Sequence, residues 1–406
     1  MKQHLDSSAV FHTAMMDENW LNTYRFGITL KEKIDPERLQ YCVNQLVSKY
    51  PMICCKIKHN FFHHYTEPLE QLMVQEDKHP LLRSVNFPNI QNQAITILYN
   101  ENTIILEAFH AITDGHGAIT YLKDLLRLYV LDSTFTTTNQ PKISFTYDSF
   151  QQHKHHSKTK KVYTNENGSF FRFHKRDNNQ PILATTLEID TLKVRDIAKQ
   201  YSCGINDLII TIFYRAILNA YDTQNKTVSI QVPVNLRNHF PSDSLLNFTL
   251  CIITKIQNEY KDLSLEEMVQ HIRSQVKDKN TKEYFEKEIA KVAKPQSNAF
   301  VKYIPLKVKS SFIKYYYLLM KEPSCLTITN LGRIDFEDSK INDQIVHMDC
   351  ILSPRYHTPY NCGIISINNK LHINITHDDK DILVEEIKKQ FMELGISTNC
   401  YLYKAI

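Results

Sequence analysis

The chain has 406 residues and a net charge of +4 at pH 7, too little over this length to mark a nucleic-acid binder. With 42% hydrophobic and 23% charged residues it can bury a large core, which excludes wholesale disorder, and its length suits about two or three domains. Only 8 glycines are present, and neither G-x-G-x-x-G nor G-x-x-x-x-G-K occurs, so the common phosphate-cradling loops are excluded. The nine cysteines are an odd set without a C-x-x-C, and Cys54 and Cys55 are adjacent. They read as thiols packed like small hydrophobes in a reducing compartment. Met1–Asp17 holds no apolar leader, and no apolar run approaches the ~20 residues that span a bilayer, so a cytoplasmic protein without a membrane span is expected.

The first clear element is a helix over Pro36–Tyr50. Asp35 can cap it, Pro36 suits its first position, and Leu39, Val43, Leu46 and Tyr50 form one apolar stripe. Pro51 ends it, and a strand over Met52–Lys58 follows. Ala94–Tyr99 and Thr103–His110 read as two strands about a turn. A helix over Gly117–Val130 comes next.

The stretch from Phe150 to Gln180 is basic and polar, with His153, Lys154, His155, His156, Lys158, Lys160 and Lys161 close together. It reads as a solvated crossover. A contact to an anionic cofactor is the second reading and metal capture by its histidines the third, since nothing in the spacing fixes their geometry.

The second half opens with a strand over Ile182–Ile189. Helices over Leu192–Tyr201 and Asp207–Tyr221 follow, the second capped by Asn206. Val228–Val234 and Phe248–Ile256 read as strands, and Ser264-x-x-Glu267 opens a helix with a capping box. Cys325–Thr329, Cys362–Ile367 and Leu371–Thr376 read as strands, the last two as a hairpin. A helix over Asp381–Leu394 is the last element. The chain is thus expected to divide into 1–150, a crossover over 151–181, and 182–406. The fold class is α/β, two halves with mixed sheets.

The sharpest chemical feature is His110-Ala111-Ile112-Thr113-Asp114-Gly115. A histidine at a strand end, beside a loop with two glycines, is well placed as a general base. Asp114 across the turn suits pinning the loop better than touching substrate. The plainer alternative is a core histidine beside an ordinary Asp-Gly turn. A third reading makes His110, Asp114 and His116 metal ligands, but no H-x-H or H-E-x-x-H supplies the rest, and no metal is expected.

His110-x-x-x-Asp114-Gly115 resembles the H-x-x-x-D-G motif of the chloramphenicol acetyltransferase-like superfamily. That superfamily includes alcohol acetyltransferases, plant BAHD acyltransferases, wax ester synthases and nonribosomal-peptide condensation domains. Leu46–Pro51 resembles the end of the family's first helix. Gln231–Arg237, followed by Leu246-Asn247-Phe248, resembles its strand-arginine segment and the asparagine-phenylalanine strand after it. Ile205-Asn206-Asp207 resembles a helix start, and Thr329-Asn330-Leu331-Gly332 resembles the S-N-L-G segment. Together these span roughly residues 30 to 380.

The resemblance implies two related subdomains with a tunnel between them and His110 at its midpoint as the base. It implies that Asp114 pairs with Arg237 through a bidentate bridge and that Gly115 permits the turn. Asn247, Thr329 and Asn330 are the candidate substrate contacts. Phe109 stands where condensation domains carry a second histidine, no D-F-G-W-G is present, and the only tryptophan is Trp20. These departures favour an alcohol acetyltransferase-like enzyme. The expected activity is acyl transfer, with acetyl foremost, from acyl-CoA as co-substrate to a small alcohol or amine, with no permanently bound cofactor. The alternative is a non-catalytic or carrier-protein-dependent, condensation-like protein.

Overall fold

The computed structural model describes residues 3–16, 22–78, 92–132, 148–154, 169–175, 182–319, 324–355, 359–378 and 381–403. Most of the basic crossover, and Trp20, lie outside the described residues. In the first part of the chain the strands are β1 (Gln3–His4), β2 (Thr23–Leu30), β3 (Cys55–His59), β4 (His64–Pro68), β5 (Val74–Glu76), β6 (Ile95–Asn100) and β7 (Thr103–Phe109). They continue as β8 (Ser169–Phe170), β9 (Leu183–Asp190), β10 (Lys226–Asn235), β11 (Thr249–Gln257) and β12 (Leu326–Arg333). The last are β13 (Ile345–Leu352), β14 (Asn361–Ile367), β15 (Lys370–His377) and β16 (Asn399–Tyr403). Six helices matter below: α1 (Ala9–Met15), α2 (Pro36–Lys49), α3 (Gly115–Leu131), α4 (Ile205–Ala220), α5 (Leu306–Leu319) and α6 (Ile382–Glu393).

A five-stranded sheet of order β13-β2-β7-β6-β5 carries the first half, and an eight-stranded mixed sheet of order β11-β10-β12-β14-β15-β9-β16, with β8 on β10, carries the second. A small β1-β4-β3 sheet stands apart from both. Helices α2 and α3 cover the first sheet through Leu39, Val43, Leu122 and Leu126, which join Ile28, Ile97 and Leu106 in one core. Helices α4 and α6 do the same for the second through Phe213, Ile217, Ile387 and Phe391. Each helix buries its apolar stripe as its periodicity demands.

The start of α2 follows its sequence signals, with Asp35 Oδ1 accepting from the N–H groups of Glu37 and Arg38. The strand expected at Met52–Lys58 begins only at Cys55, because residues 51–54 form the turns that leave α2. Helix α4 begins at Ile205, with Gly204 as its cap, two residues before the expected start.

Within the expected 182–406 unit, β13 leaves the second sheet altogether and pairs antiparallel with β2. It also packs on β14 and β15, so it joins the two halves. A Cβ on Gly363 in β14 would collide with the carbonyl and sulfur of Cys350 in β13. Only a residue without a side chain allows this approach. Among the described residues no single helix is long and apolar enough to cross a membrane.

Candidate active site

His110 follows β7 directly, at the point where the strand ends and the loop to α3 begins. Its backbone N–H donates to the carbonyl of Asn22 at 2.9 Å. Its ring is held by Asn247, whose Oδ1 lies 3.1 Å from Nδ1 and whose Nδ2 donates to the His110 carbonyl at 2.7 Å. The second bond decides the first. Because the amide nitrogen faces the carbonyl, the amide oxygen faces the ring, and an oxygen there can only accept. Nδ1 therefore carries the proton, and the lone pair of the neutral ring sits on Nε2. No hydrogen-bond partner for Nε2 exists among the described residues. Burial lowers the pKa of His110, which favours that neutral ring.

A second histidine shares the site. The ring of His12, on α1, stacks on His110 with centroids 4.4 Å apart and 8° between planes. It is clamped in the same way. Asn22 Oδ1 lies 3.0 Å from His12 Nδ1, and Asn22 Nδ2 donates to the His12 carbonyl at 2.9 Å. Burial, and then the neighbouring His110, lowers the His12 pKa to about 3, so the stack is neutral. Tyr24 meets the His110 ring edge-on at 5.1 Å, and its hydroxyl donates to the carbonyls of Thr113 and Asp114. His12, Asn22 and Tyr24 belong to no motif, and nothing in their spacing from His110 marks them.

Asp114 caps α3 and ties the motif loop to the second half. Its Oδ1 accepts from the Gly117 N–H. Its Oδ2 accepts from Arg237 Nη1 at 2.7 Å, the Phe248 N–H at 2.9 Å and Thr249 Oγ1 at 3.1 Å. Burial alone would raise this carboxyl, but Arg237 and these donors outweigh it and hold the pKa below the usual carboxylate range. The bridge is not bidentate. Only Nη1 reaches Asp114, because Nε and Nη2 of Arg237 donate to the carbonyls of Ser244 and Leu246. Arg237 thus organises the β10–β11 connection that presents Asn247 to His110. Thr113 Oγ1 adds a bond to the Leu245 carbonyl at 2.7 Å. A Cβ on Gly117 would collide with that same carbonyl, so the close approach of loop and connection needs glycine there.

The end of β12 reaches the same loop, since a Cβ on Gly115 would fall 2.7 Å from Leu331 Cδ2. Thr329 and Asn330 lie on this strand. Asn330 Oδ1 accepts from the Gly332 N–H, and its Nδ2 lies 3.4 Å from Asn206 Oδ1, so Asn330 also shapes the turn. Both ends of the Asn247 amide touch His110, so Asn247 positions the base in addition to the substrate contact expected of it.

The Asp114 carboxylate accepts from four donors, one of them a guanidinium, which makes it a poor ligand for a cation beside His110 and His116. Among the described residues, Glu188, His347 and His372 offer ligand atoms within 4.8 Å of one another. They lie on β9, β13 and β15, away from the motif loop, within an ion-pair network. There Lys370 Nζ reaches Glu188 at 3.0 Å and His347 Nε2 reaches Asp349 at 2.7 Å.

No protein-family model and no curated protein sequence matches the chain. Solved structures do. The TRI101 protein of F. sporotrichioides, solved with coenzyme A and T-2, is 11% identical with a TM-score of 0.66, over 98% of this chain and 99% of that one. The TRI3 trichothecene 15-O-acetyltransferase of Fusarium sporotrichioides is 11% identical with a TM-score of 0.59, over 97% and 94%. The condensation domain of the Monacolin K polyketide synthase MokA is 9% identical with a TM-score of 0.58, over 97% and 96%. The chain has the two-subdomain, chloramphenicol acetyltransferase-like fold that these proteins share. At such identities the likeness speaks for the fold, and the reaction has to be argued from the residues.

Proposed function

We propose that the protein is an acyltransferase that moves a short acyl group, acetyl foremost, from a coenzyme A thioester to an alcohol or amine, with His110 as general base. The observation that carries this reading is the Asn247 clamp. It fixes the proton on Nδ1 and leaves the Nε2 lone pair without a partner among the described residues.

In the reaction, the acceptor O–H or N–H gives its proton to Nε2 as its heteroatom bonds to the thioester carbonyl carbon. The tetrahedral oxyanion then collapses, the C–S bond breaks, and the leaving sulfur takes the proton back from the imidazolium. Such base assistance is worth roughly 10²–10⁴-fold, and holding donor and acceptor at the base supplies much of the remainder. Asp114 and Arg237 hold the loop and take no proton. Thr329 and Asn330 are the proposed substrate contacts, on the ground that the end of β12 lies against the motif loop.

TRI101 was solved with coenzyme A bound, which supports a coenzyme A thioester as donor. The likeness to a condensation domain supports a carrier-protein thioester as the second reading. Thiol release from acetyl-CoA, measured with a panel of small alcohols and amines and with acyl-chain variants of the donor, tests the proposal. Acceptor-dependent release supports it. Turnover with an acyl-carrier protein and none with any acyl-CoA would favour the second reading.

A further inference from the structure

Helix α5 turns its apolar side outward. Val308, Phe312, Tyr315 and Tyr316 follow one another at helical spacing, and each is between 57 and 68% exposed. They form a stripe of about two turns on one face. Phe312 and Tyr316 stack on each other at 6.5 Å and stay open to solvent. Phe300 and Tyr303, in and just after the one-turn helix Ala299–Lys302 that precedes α5, are 85 and 75% exposed, and Phe61 of the β3–β4 turn, whose carbonyl accepts the Leu306 N–H, adjoins them through Phe62. A contiguous exposed patch of this kind marks an interaction surface.

The sequence about the helix is basic: between Glu288 and Glu322 it has seven lysines and no acidic residue, although Lys291 pairs with Glu288. Beside the helix lies a cavity of about 330 Å³ whose lining includes His4, His63, His64, Lys302 and Lys309 among apolar groups such as Leu5 and Leu306, and no carboxylate. Burial, followed by Lys309, His4 and Lys302, pushes His63 below its ordinary value, and Lys309 is itself lowered by burial. His63, Lys302 and Lys309 thus share a cavity wall that, among the described residues, carries no negative charge.

We propose that this face docks on a bilayer containing anionic phospholipid, with the α5 stripe lying in the interface and a lipid phosphate entering the His63–Lys309 cavity. Aromatic side chains flanked by lysines are the composition of interfacial helices. Protein–protein contacts, in contrast, are depleted in lysine at their centre. The docking does not depend on acyl transfer. It does lie close to the site, because α5 packs on α1 through Tyr317 and Phe11 at 5.6 Å, and α1 carries His12.

The test is co-sedimentation of the full chain with phosphatidylcholine vesicles and with vesicles holding roughly 30% phosphatidylserine. The expected result is at least roughly tenfold stronger binding to the anionic vesicles, lost in about 1 M salt. Phe312→Glu and Tyr316→Glu, at exposed positions, and Lys302→Glu with Lys307→Glu should each weaken it about tenfold or more, with unchanged circular dichroism. Equal binding to both vesicle types, or none to either, would overturn the proposal. So would a concentration-dependent dimer that Phe312→Glu dissociates, because a second copy would then cover the stripe. Inorganic phosphate competing fully at millimolar level would mean that the cavity binds the free ion, and that would overturn it too.

Discussion

Asn247 holds His110 at two points, the ring through Nδ1 and the backbone through its carbonyl, and so chooses which ring nitrogen is the base. Asn247→Ala removes both contacts and should lower kcat by roughly 10–100-fold, the cost of losing a buried hydrogen-bond partner. Asn247→Asp keeps an acceptor on Nδ1 but places a negative charge beside the ring. It should shift the midpoint of the kcat/KM–pH profile upward relative to the parent. A profile unmoved by the aspartate would show that the side chain does not govern the ring.

The pH dependence has a definite sign. The base must be unprotonated, and burial holds the His110 pKa below its ordinary value. As pH falls, the limb of kcat/KM should therefore be centred below about 6.5, where an exposed imidazole would be half protonated. A limb centred at or above that value would contradict the buried, neutral ring.

Asp114 and Arg237 should behave as a structural pair. Asp114 is 2% exposed, and Arg237 Nη1 meets it at 2.7 Å. Removing one partner of a buried pair leaves an uncompensated charge and costs about 3–5 kcal/mol. Asp114→Ala and Arg237→Ala should each lower thermal stability and activity together. The double variant should lose less stability than the sum of the singles. Strict additivity of the two losses in a double-mutant cycle would mean that the pair is not coupled.

What could be read from the sequence was what is decided locally. Asp35-Pro36 and Ser264-x-x-Glu267 make the caps that their spacing announces, because a cap involves only the first turn of a helix. The β14–β15 hairpin was legible for the same reason, with Asn368 and Asn369 both at positive φ in its turn. Strand β2 was not. It is buried along nearly its whole length and so lacks alternation, and its Arg25 is matched by Asp77 and Glu107, which only the folded sheet brings together. The pairing of β13 with β2, and the stack of His12 on His110, are set by tertiary packing alone. The outward apolar stripe of α5 hides from periodicity for another reason: an apolar stripe has the same spacing in the sequence whether the helix turns it to the core or to solvent.

Catalytic turnover should be indifferent to a chelator, since the Asp114 carboxylate is already neutralised by the Arg237 guanidinium and engaged by three further donors. Thiol release after dialysis against EDTA checks this. Loss of activity that zinc restores would return His110, Asp114 and His116 to consideration as ligands.

The central claim is that His110 Nε2 takes the acceptor proton. The most direct measurement is acceptor-dependent thiol release from acetyl-CoA by purified His110→Ala, shown to be folded by circular dichroism. The account predicts a fall in turnover of roughly 10²–10⁴-fold with the native spectrum retained. Near-parental turnover by the folded variant would contradict it.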